Sequence, residues 1–574
     1  MQMVKQAETL NFPVEDSAVF FHCSDFESVQ LTKVLKVSLF EEGIQSHFES
    51  AEYGTVYQTL LEPNSKAFAE SVKYVLVSMS TQVFRDQYFK SSNSADENWK
   101  LLKSAVQKIT DSGRVVILNT LPDPIEREFG NLSSQVESSL IFQIKKWNQQ
   151  LCSLASGTPG VFILDTAHIA HSYGLENWFD DGLWLQAKYS CHQKYYPLIG
   201  KSLARLVSTL SGNVKKCVVI DLDNTMWGGV VGDDGADGVE IGGTGIGEAF
   251  KNFQLYMKSL KEAGYLLALA SKNFEAKAKE VFEIRPEMEL KWDDFVSYRI
   301  NWDDKAKNIQ EIAGELNIGL NSIVFLDDNP FERNLVRSML PEVSVPELPE
   351  DPSEYVRFLN QEMVFESVQF STEDKTRTEL YNQENQRKKV QTEYQSVEDY
   401  LANLEMKAKV QNLVGPNLSR SSQLLQRSNQ FNLRTQRTSE AEILKISDLT
   451  GEYKCFCVHL QDRFGALGNI SVVILQISDD ECFIKELVMS CRVLKRGMEE
   501  FIFNNIFEIA RKKGLKQVKG EYIPTEKNGL VKDLFENFGF KRVSSEDTAE
   551  LWILPTDEYE VRSVQIEREE MIGV

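Results

Sequence analysis

Short apolar runs that stop at a polar residue are the feature that most constrains the fold of this chain. Four of them lie near its beginning, at residues 17–26, 74–79, 114–120 and 160–166. Stretches with the apolar spacing of amphipathic helices separate them, and strands that alternate with helices form parallel β-α-β units. The pattern predicts a parallel α/β domain over residues 1–205.

A second group of apolar runs ends in acidic residues. The run CVVI is followed by Asp221 and Asp223, the run SIVFL by Asp327 and Asp328, and YLLALA delivers Ser271 between them. Ligands of open parallel sheets bind at the carboxyl ends of the strands. Adjacent carboxylates repel one another unless a cation lies between them, and oxygen ligands suit a hard ion such as Mg²⁺. The sequence therefore predicts a second α/β domain, over 206–365, with a carboxylate site at its sheet edge.

Composition divides the rest of the chain. Residues 366–440 are rich in Glu, Gln, Lys, Asn and Arg, which predicts a helical linker. Over 441–574 short strands return, followed by a long amphipathic helix, a strand and another helix. We therefore expect a multidomain α/β protein with an α+β domain at its carboxyl end.

Charge and cysteine usage exclude several classes of protein. The chain has 63 Lys and Arg against 85 Asp and Glu, and a formal net charge of −22 disfavours nucleic acid and anionic membranes as partners. No apolar run is long enough to span a membrane, and the amino terminus shows no export leader. The 8 cysteines include no CxxC pair, so we expect reduced, mostly buried thiols in a cytoplasmic protein rather than a zinc site.

The acidic motifs occur in a particular order along the chain. Asp-x-Asp-x-Thr at 221–225, then Ser271, then Lys305 opening a helix, then Asp327-Asp328 together resemble the haloacid dehalogenase (HAD) phosphatase superfamily. The resemblance implies that the first aspartate, Asp221, attacks phosphorus and forms an aspartyl-phosphate. It also implies that Asp223 protonates the leaving oxygen and then activates water.

The same resemblance assigns the other site residues. The implied phosphate-binding residues are Thr225, Ser271 and Lys305, of which the lysine also offsets the charge of the acids. The implied Mg²⁺ ligands are Asp221, the backbone carbonyl of Asp223, Asp327 and, in support, Asp328. All of these side chains are present, whereas a scaffold that had lost the chemistry would be expected to lack at least one.

Longer strings narrow the resemblance. DLDNTMWGGVVGDDG, NWDDKAKNI and FLDDNPFER, and further on QLLQRSNQFNLRTQRTSEAE, DRFGALGNISVVIL and SCRVLKRGMEEFIF, resemble the FkbH-like branch of the superfamily. Members pair the HAD domain with a carboxyl-terminal domain of the GNAT acetyltransferase type. The best-described ones take 1,3-bisphosphoglycerate and place its glyceryl unit on an acyl carrier protein for polyketide assembly. The resemblance thus implies a small phosphorylated acyl substrate and a carrier-protein partner.

One position departs from the glyceryl-loading members. Those members have a cysteine between the two motif aspartates, where this chain has Leu222. Cys217 lies upstream on a predicted buried strand, and we expect it to be a core thiol. The departure counts against a covalent glyceryl-enzyme. Direct attack by a carrier's pantetheine thiol and simple phosphatase action both stay open.

A loop before the long carboxyl-terminal helix is similar to the coenzyme A loop of GNAT proteins, [RQ]-x-x-G-x-[GA]. The matching positions are Arg492, Lys495 and Gly497, with Lys495 in place of the first glycine, and Asn528 matches a later segment. The resemblance implies a site for phosphopantetheine or coenzyme A. We expect it to bind a pantetheine arm or a carrier protein rather than to transfer acetyl groups.

The amino-terminal domain is similar to SGNH-hydrolase-like and flavodoxin-like domains. An esterase would require a serine after the first strand and an Asp-x-x-His late in the domain. Ser24 follows the first strand and Asp165-x-x-His168 follows a later one, but near residue 190, where the late motif is expected, the chain has only Cys191-His192. No GDSL-type motif surrounds Ser24, so we expect a recognition or docking domain without catalytic activity.

Three functions remain open from the sequence. The first expectation is a Mg²⁺-dependent HAD enzyme that removes phosphate from a small phosphorylated acyl metabolite and delivers the acyl unit to an acyl carrier protein. The second is a plain small-molecule phosphatase. The third is a carrier-binding scaffold with a vestigial HAD site.

Overall fold

The computed structural model divides into two compact units, residues 1–211 with 439–445, and 212–438 with 446–574. The residues that it describes are 2–10, 12–15, 17–91, 93–370, 377–391, 394, 396–413, 416–428, 430–436, 438, 440–448, 451–546 and 549–569. No helix in these ranges is long and apolar enough to cross a membrane.

The first unit is built on a parallel sheet of five strands. These are β1 (Ala18–Ser24), β2 (Ser46–Ser50), β3 (Tyr74–Ser78), β4 (Val115–Asn119) and β5 (Val161–Leu164). Their order, β2-β1-β3-β4-β5, is that of flavodoxin-like doubly wound sheets. The four predicted strands are present, whereas β2 was not predicted because SHFES holds a single apolar residue.

Helices of the first unit pack their apolar faces onto this sheet. One core cluster joins strand residues such as Val75 and Val116 to Leu102, Ile144 and Trp147 on helices. The last helix of the unit runs across residue 205, so the boundary predicted there lies inside a helix and the unit continues to 211. The helices are Gln2–Thr9, Val29–Glu41, Val56–Leu61, Thr81–Lys90, Ser94–Asp111, Leu140–Gly157, Thr166–Tyr173, Leu175–Trp178, Asp181–Ala187 and Tyr196–Leu210.

The second unit contains a parallel sheet of four strands. These are β6 (Cys217–Ile220), β7 (Leu266–Ser271), β8 (Phe295–Ile300) and β9 (Ile323–Leu326), in the order β8-β7-β6-β9. Strand β6 lies between two neighbours, which explains why its sequence is apolar without alternation. Strand β8 was not predicted. The other three begin and end close to their predicted positions.

Side chains of β6 point alternately into two separate cores, one on each face of the sheet. Val218 and Ile220 belong to one core, and Cys217 and Val219 to the other. The helices that flank this sheet are Val231–Gly238, Ile246–Glu262, Glu275–Ile284, Lys305–Leu316, Pro330–Met339 and Tyr355–Gln361.

The second unit also contains a mixed sheet of eight strands, in the order β15-β16-β14-β13-β12-β11-β10-β17. Only the pairs β13–β14 and β10–β17 are parallel, which makes this an α+β arrangement, as expected. Its strands are β10 (Met406–Asn412), β11 (Tyr453–Asp462), β12 (Gly465–Ser478), β13 (Glu481–Met489), β14 (Gln517–Tyr522), β15 (Lys541–Glu546), β16 (Ala549–Pro555) and β17 (Ile566–Arg568).

The segment 366–440 differs from the predicted helical linker. It contains β10, which pairs with β11 through alternating buried residues Met406, Ala408 and Val410. The polar composition of the segment hid this short alternation. Helices in and after it are Arg377–Gln391, Val397–Asn403, Pro416–Arg427, Glu440–Asp448, Met498–Lys512 and Leu534–Asn537.

Candidate active site

The carboxyl ends of two neighbouring strands carry the acidic motifs. Asp221 follows β6 and Asp327 follows β9, and the two strands are paired so that Ile220 lies opposite Leu326. The backbone N–H of Asp221 donates to the carbonyl of Leu326 at 3.0 Å. Register alone therefore places the two aspartates side by side, at the edge where parallel sheets bind ligands.

Lys305 joins these two carboxylates. Its Nζ lies 3.0 Å from Asp221 Oδ2 and 2.6 Å from Asp327 Oδ2, and its side chain is only 4% exposed. Lys305 is the first residue of a helix whose N-cap is Asp304, and the Asp304 side chain accepts from the backbone N–H of Ala306. The lysine predicted from spacing along the chain thus reaches the acid pair.

The charges at this site are not balanced by the protein alone. Burial first, and then the neighbouring carboxylate of Asp221, raise the pKa of Asp327 to about 7. Burial alone would lower the pKa of Lys305, but the two carboxylates raise it above its ordinary value. Asp221 Oδ1 is buried and has no hydrogen-bond partner among the described residues.

A divalent cation fits this arrangement. Carboxylate oxygens of Asp221, Asp327 and Asp328 lie within 4.8 Å of one another. The donors are all oxygens, which Mg²⁺ prefers, and a cation would offset the negative charge of three acids that face one lysine. The predicted metal ligands are therefore brought together, with Asp223 close by on the loop after β6.

Asp223 is held by three N–H donors. Trp227 Nε1 and the backbone N–H of Val231 donate to its Oδ1 at 2.9 and 3.1 Å, and Asn273 Nδ2 donates to its Oδ2 at 2.8 Å. Burial, and to a smaller extent the charge of Asp221, raise its pKa, whereas Val231, Trp227 and Lys305 act in the opposite direction. A carboxyl group oriented in this way suits the proton transfers expected of Asp223.

Thr225 and Ser271 occupy different surroundings. The Thr225 hydroxyl is buried and exchanges hydrogen bonds with Asp328, donating to Oδ1 and accepting from the backbone N–H, each at 3.1 Å. In this position it orients Asp328, and its predicted role toward phosphate stays a prediction. Ser271 is the last residue of β7, is 2% exposed, and lies at the same sheet edge as the acids.

Three residues that complete the site were not predicted. Trp227 and Asn273 orient Asp223, and Arg333 donates to the backbone carbonyls of Asp327 and Asp328 at 2.8 and 2.6 Å. Their positions in the sequence could have indicated two of them. Asn273 follows the end of a strand, and Arg333 lies one turn into the helix after the acid pair.

The thiol positions agree with the expectation drawn from the sequence. Leu222 is fully buried in the core that contains Val218 and Ile220. Cys217 lies at the start of β6, at the opposite end of the strand from the acids, and burial raises the pKa of its thiol. Neither position offers a nucleophilic thiol at the carboxylate site.

The loop before helix Met498–Lys512 has positive φ angles at two of the positions that match the coenzyme A loop. Lys495 has a φ of 60°, a left-handed conformation in which glycine is usual, and Gly497 has a φ of 81°. The N–H of Lys495 donates to the Glu499 carboxylate at 3.3 Å. Asn528 is buried, and its side-chain amide donates to the backbone carbonyls of Asn432 and Ile523, so it holds these two segments together. The proposed coenzyme role of these residues stays a prediction.

The amino-terminal residues considered for an esterase are not arranged as a triad. The Ser24 hydroxyl donates to the carbonyl of Phe26 at 2.9 Å and bonds with Ser28. The Asp165 carboxylate accepts from the backbone N–H of His168 rather than from its ring, as a helix N-cap. The expectation of a recognition or docking domain stays a prediction.

The chain is similar to a known protein family and to a solved structure that contains a phosphatase domain. Residues 25–208 match the family model described as FkbH, N-terminal domain. The N-terminal part of the protein BF1531 from Bacteroides fragilis, whose crystal structure contains a phosphatase domain complexed with Mg, is 34% identical with a TM-score of 0.60. That similarity covers 64% of this chain and 99% of the BF1531 chain. None of the curated proteins compared with the chain matches it.

Acetyltransferase structures are similar to a smaller share of the chain. The ribosomal-protein-S18-alanine N-acetyltransferase from Escherichia coli is 17% identical, with a TM-score of 0.21 and coverage of 26% of this chain and 94% of that one. This low value identifies neither an activity nor a ligand. The identity to BF1531 over nearly the whole of its phosphatase part, joined to the acid cluster around Lys305, shows that this chain belongs to the FkbH-like family of the HAD superfamily.

Proposed function

We propose that this protein is a Mg²⁺-dependent HAD-type phosphatase of small phosphorylated acyl metabolites and that it delivers the acyl unit to an acyl carrier protein. The observation that carries the phosphatase part is the buried cluster of Asp221, Lys305 and Asp327, with the free Oδ1 of Asp221 beside it. The Mg complex of the BF1531 phosphatase domain supports the choice of metal.

The first step is an attack by Asp221 on the phosphorus of the substrate's phosphoester group. Attack on its acyl phosphate would only hydrolyse that group and leave nothing for acyl transfer. Lys305 holds Oδ2 of Asp221, and Oδ1, which has no hydrogen-bond partner among the described residues, is the atom that forms the new P–O bond. The bond from phosphorus to the leaving oxygen breaks, and Asp223 gives that oxygen its proton. Asp221, Asp327 and Asp328, with the carbonyl of Asp223, would hold Mg²⁺, and the ion would supply positive charge that offsets the phosphate and the acids.

The second step regenerates the enzyme. Asp223, now a carboxylate, takes a proton from water, and the water oxygen attacks the phosphorus of the aspartyl-phosphate. The bond between phosphorus and Asp221 breaks and phosphate leaves. Trp227 and Asn273 keep Asp223 in place through both transfers, because they donate to different oxygens of its carboxylate.

The acyl transfer follows a separate course. A pantetheine thiol of the carrier attacks the carbonyl carbon of the acyl phosphate, and phosphate is the leaving group. Residues around Arg492 and Gly497 are the proposed site for the pantetheine arm or for coenzyme A, and polyketide assembly is the proposed use of the product. The buried Leu222 and Cys217 favour direct transfer, without an acyl group on the enzyme.

A plain small-molecule phosphatase is the second candidate. The observation that favours it is the lack of a thiol at the carboxylate site among the described residues. The third candidate is a carrier-binding scaffold. Such a protein would release no phosphate and would bind the carrier without Mg²⁺.

Intact-protein mass spectrometry separates these functions. Enzyme, Mg²⁺, holo-acyl carrier protein and 1,3-bisphosphoglycerate generated in place are mixed, and free phosphate is followed in the same tube. We expect a glyceryl-sized gain on the carrier and no gain on the enzyme. Phosphate release without an acylated carrier would support the plain phosphatase.

Asp221→Asn is the decisive variant for the phosphatase reaction. We expect it to abolish the hydrolysis of a simple phosphate ester, because the amide cannot replace the nucleophile. Asp237→Asn changes an exposed acid of the same domain and is expected to retain the rate. An unchanged rate in Asp221→Asn would exclude the proposed chemistry.

A further inference from the structure

A cavity of 650 Å³ lies in the second unit, away from the carboxylate site. One wall is formed by Lys216, Leu266 and the turn 317–322, which stand at the amino ends of β6, β7 and β9. Because the catalytic acids follow the carboxyl ends of the same strands, the cavity opens at the opposite edge of that sheet. Its volume is within the range of small-molecule sites.

The other wall comes from the mixed sheet and its helices. Met489 and Ser490 at the end of β13 line it, with Phe431 and residues of helix Pro416–Arg427. Helix Arg377–Gln391 joins the two walls, since Arg377 donates to the carbonyl of Gly264 at 2.7 Å and Arg387 is paired with Asp462. The cavity is therefore built jointly by the phosphatase sheet and the carboxyl-terminal sheet.

The charge of this cavity is opposite to that of the chain. Among the residues that the structure describes, the acids that line it are Glu342 and Glu526, and both are exposed. A chain with a net charge of −22 thus brings an excess of cations into one concave site. Convergent positive charge in a cleft attracts anions. The lining cations are Lys216, Arg377, Arg420, Arg492 and Lys527.

The chemistry of the lining selects among anions. Arg492 donates from Nε to the Ser490 hydroxyl at 3.3 Å, and its Nη1 is buried without a hydrogen-bond partner among the described residues. Guanidinium groups bind phosphate oxygens in a two-pronged geometry, which suits them to phosphate recognition. Leu424, Phe431 and Met489 give the cavity an apolar part beside the cations.

We propose that this cavity binds a small organic phosphate, a phosphate ester attached to a short chain. Arg492, the first residue of the proposed coenzyme A loop, lines the cavity, whereas Lys495 and Gly497 of that loop do not. This inference rests on the proposed function in one respect: the ligand belongs to the same class as the proposed substrate, a phosphorylated metabolite. The ester has two sources, a free metabolite or the phosphopantetheine arm of a carrier.

Calorimetric titration of the full chain tests the site. The probes are 3-phosphoglycerate for a free metabolite and 4′-phosphopantetheine for a carrier arm, both in EDTA so that the acid cluster has no metal. We expect at least one to bind, and Arg492→Gln to weaken it by at least about tenfold, as for the loss of a charged hydrogen bond. Lys527→Gln, at an exposed position, is expected to weaken binding without affecting the fold.

Control variants distinguish this site from the phosphatase site. Lys513→Gln removes the same charge at an exposed position outside the cavity and is expected to leave binding unchanged. Asp221→Asn is expected to bind the probes like the original protein, although it has no turnover. Loss of binding in Asp221→Asn would assign the ligand to the phosphatase site and overturn the inference. Absence of binding at millimolar probe, or unchanged binding in both cavity variants, would overturn it as well.

Discussion

At the scale of single residues, Lys305 is the centre of the site. It is the cation that lies between two buried carboxylates, at 3.0 and 2.6 Å. In EDTA, Lys305→Met leaves these carboxylates unpaired, and we expect the free energy of unfolding to fall by about 3–5 kcal/mol. Phosphatase turnover in Mg²⁺ is expected to fall by at least about 100-fold. Urea titration and phosphate release measure the two effects.

Lys307→Met is the matched control for that substitution. Lys307 lies on the same helix, is exposed, and pairs only with surface acids. Such pairs contribute little to stability, so we expect both measurements to stay close to those of the original protein. Equal losses in the two variants would show that the lysine between the acids has no special role.

Trp227 is predicted to act on catalysis through Asp223. Trp227→Phe keeps an aromatic ring in the core and removes the N–H that donates to Asp223 Oδ1 at 2.9 Å. The loss of one hydrogen bond to a charged group corresponds to about tenfold in rate. We expect kcat to fall by about that factor with little change in KM, as steady-state kinetics would show. Trp292→Phe, which changes a tryptophan that does not contact Asp223, should retain kcat.

At the scale of elements, the helix Arg377–Gln391 is held by a buried ion pair. Arg387 donates from two nitrogens to the two oxygens of Asp462, at 2.6 and 2.8 Å, and both side chains are fully buried. Arg387→Met leaves Asp462 buried without the two nitrogens that donate to it. We therefore expect the free energy of unfolding of this unit to fall by about 3 kcal/mol. Arg463→Met, at a neighbouring exposed position, is expected to change it by less than about 0.5 kcal/mol. Chemical denaturation monitored by circular dichroism compares the two.

Elements also show where prediction from sequence succeeds. The strands β6, β7 and β9 were predicted because a buried parallel strand is apolar along its whole length. Strands β2 and β10 were missed because their sequences are polar, and β10 alternates only through Met406, Ala408 and Val410. Pairing with a neighbour, rather than local propensity, makes these segments strands.

At the scale of the whole molecule, Mg²⁺ is expected to stabilise the second unit. A ligand that binds only the folded protein raises its stability in proportion to the logarithm of its concentration, about 2.7 kcal/mol at 100 times Kd. We expect Mg²⁺ to raise the Tm of the original protein and to have little effect on Asp327→Asn, which loses one of the clustered acids. Differential scanning calorimetry at fixed ionic strength, with Na⁺ in the control, measures the shift. An equal shift in both proteins would place the metal elsewhere.

The first unit carries a stability term that depends on pH. Burial raises the pKa of Asp25 to about 7, and its Oδ2 has no hydrogen-bond partner among the described residues. A carboxyl whose pKa is raised by folding stabilises the protein below its unfolded pKa, and this contribution is lost as pH rises through about 7. The gain from Asp25→Asn should therefore grow between about pH 4 and pH 7.

Denaturation of the two proteins at a series of pH values measures that gain as a difference. Taking the difference removes the opposite contribution of His22, whose pKa burial lowers to about 4. Asp111→Asn, at an exposed acid of the same unit, is expected to show no such trend. A gain from Asp25→Asn that is independent of pH would mean that the carboxyl titrates normally.

The amino-acid sequence by itself determined the strand ends that carry Asp221, Ser271 and Asp327, since apolar runs and the acids after them are local features. It also determined the order of motifs that identifies the family. Only the tertiary structure decided which N–H groups hold Asp223, because Trp227 and Asn273 reach it from different elements. The cationic cavity likewise exists only in three dimensions, where Lys216 and Arg492 meet across two sheets far apart in sequence. Contacts between distant segments depend on how the elements pack, and a pattern along the chain does not contain that information.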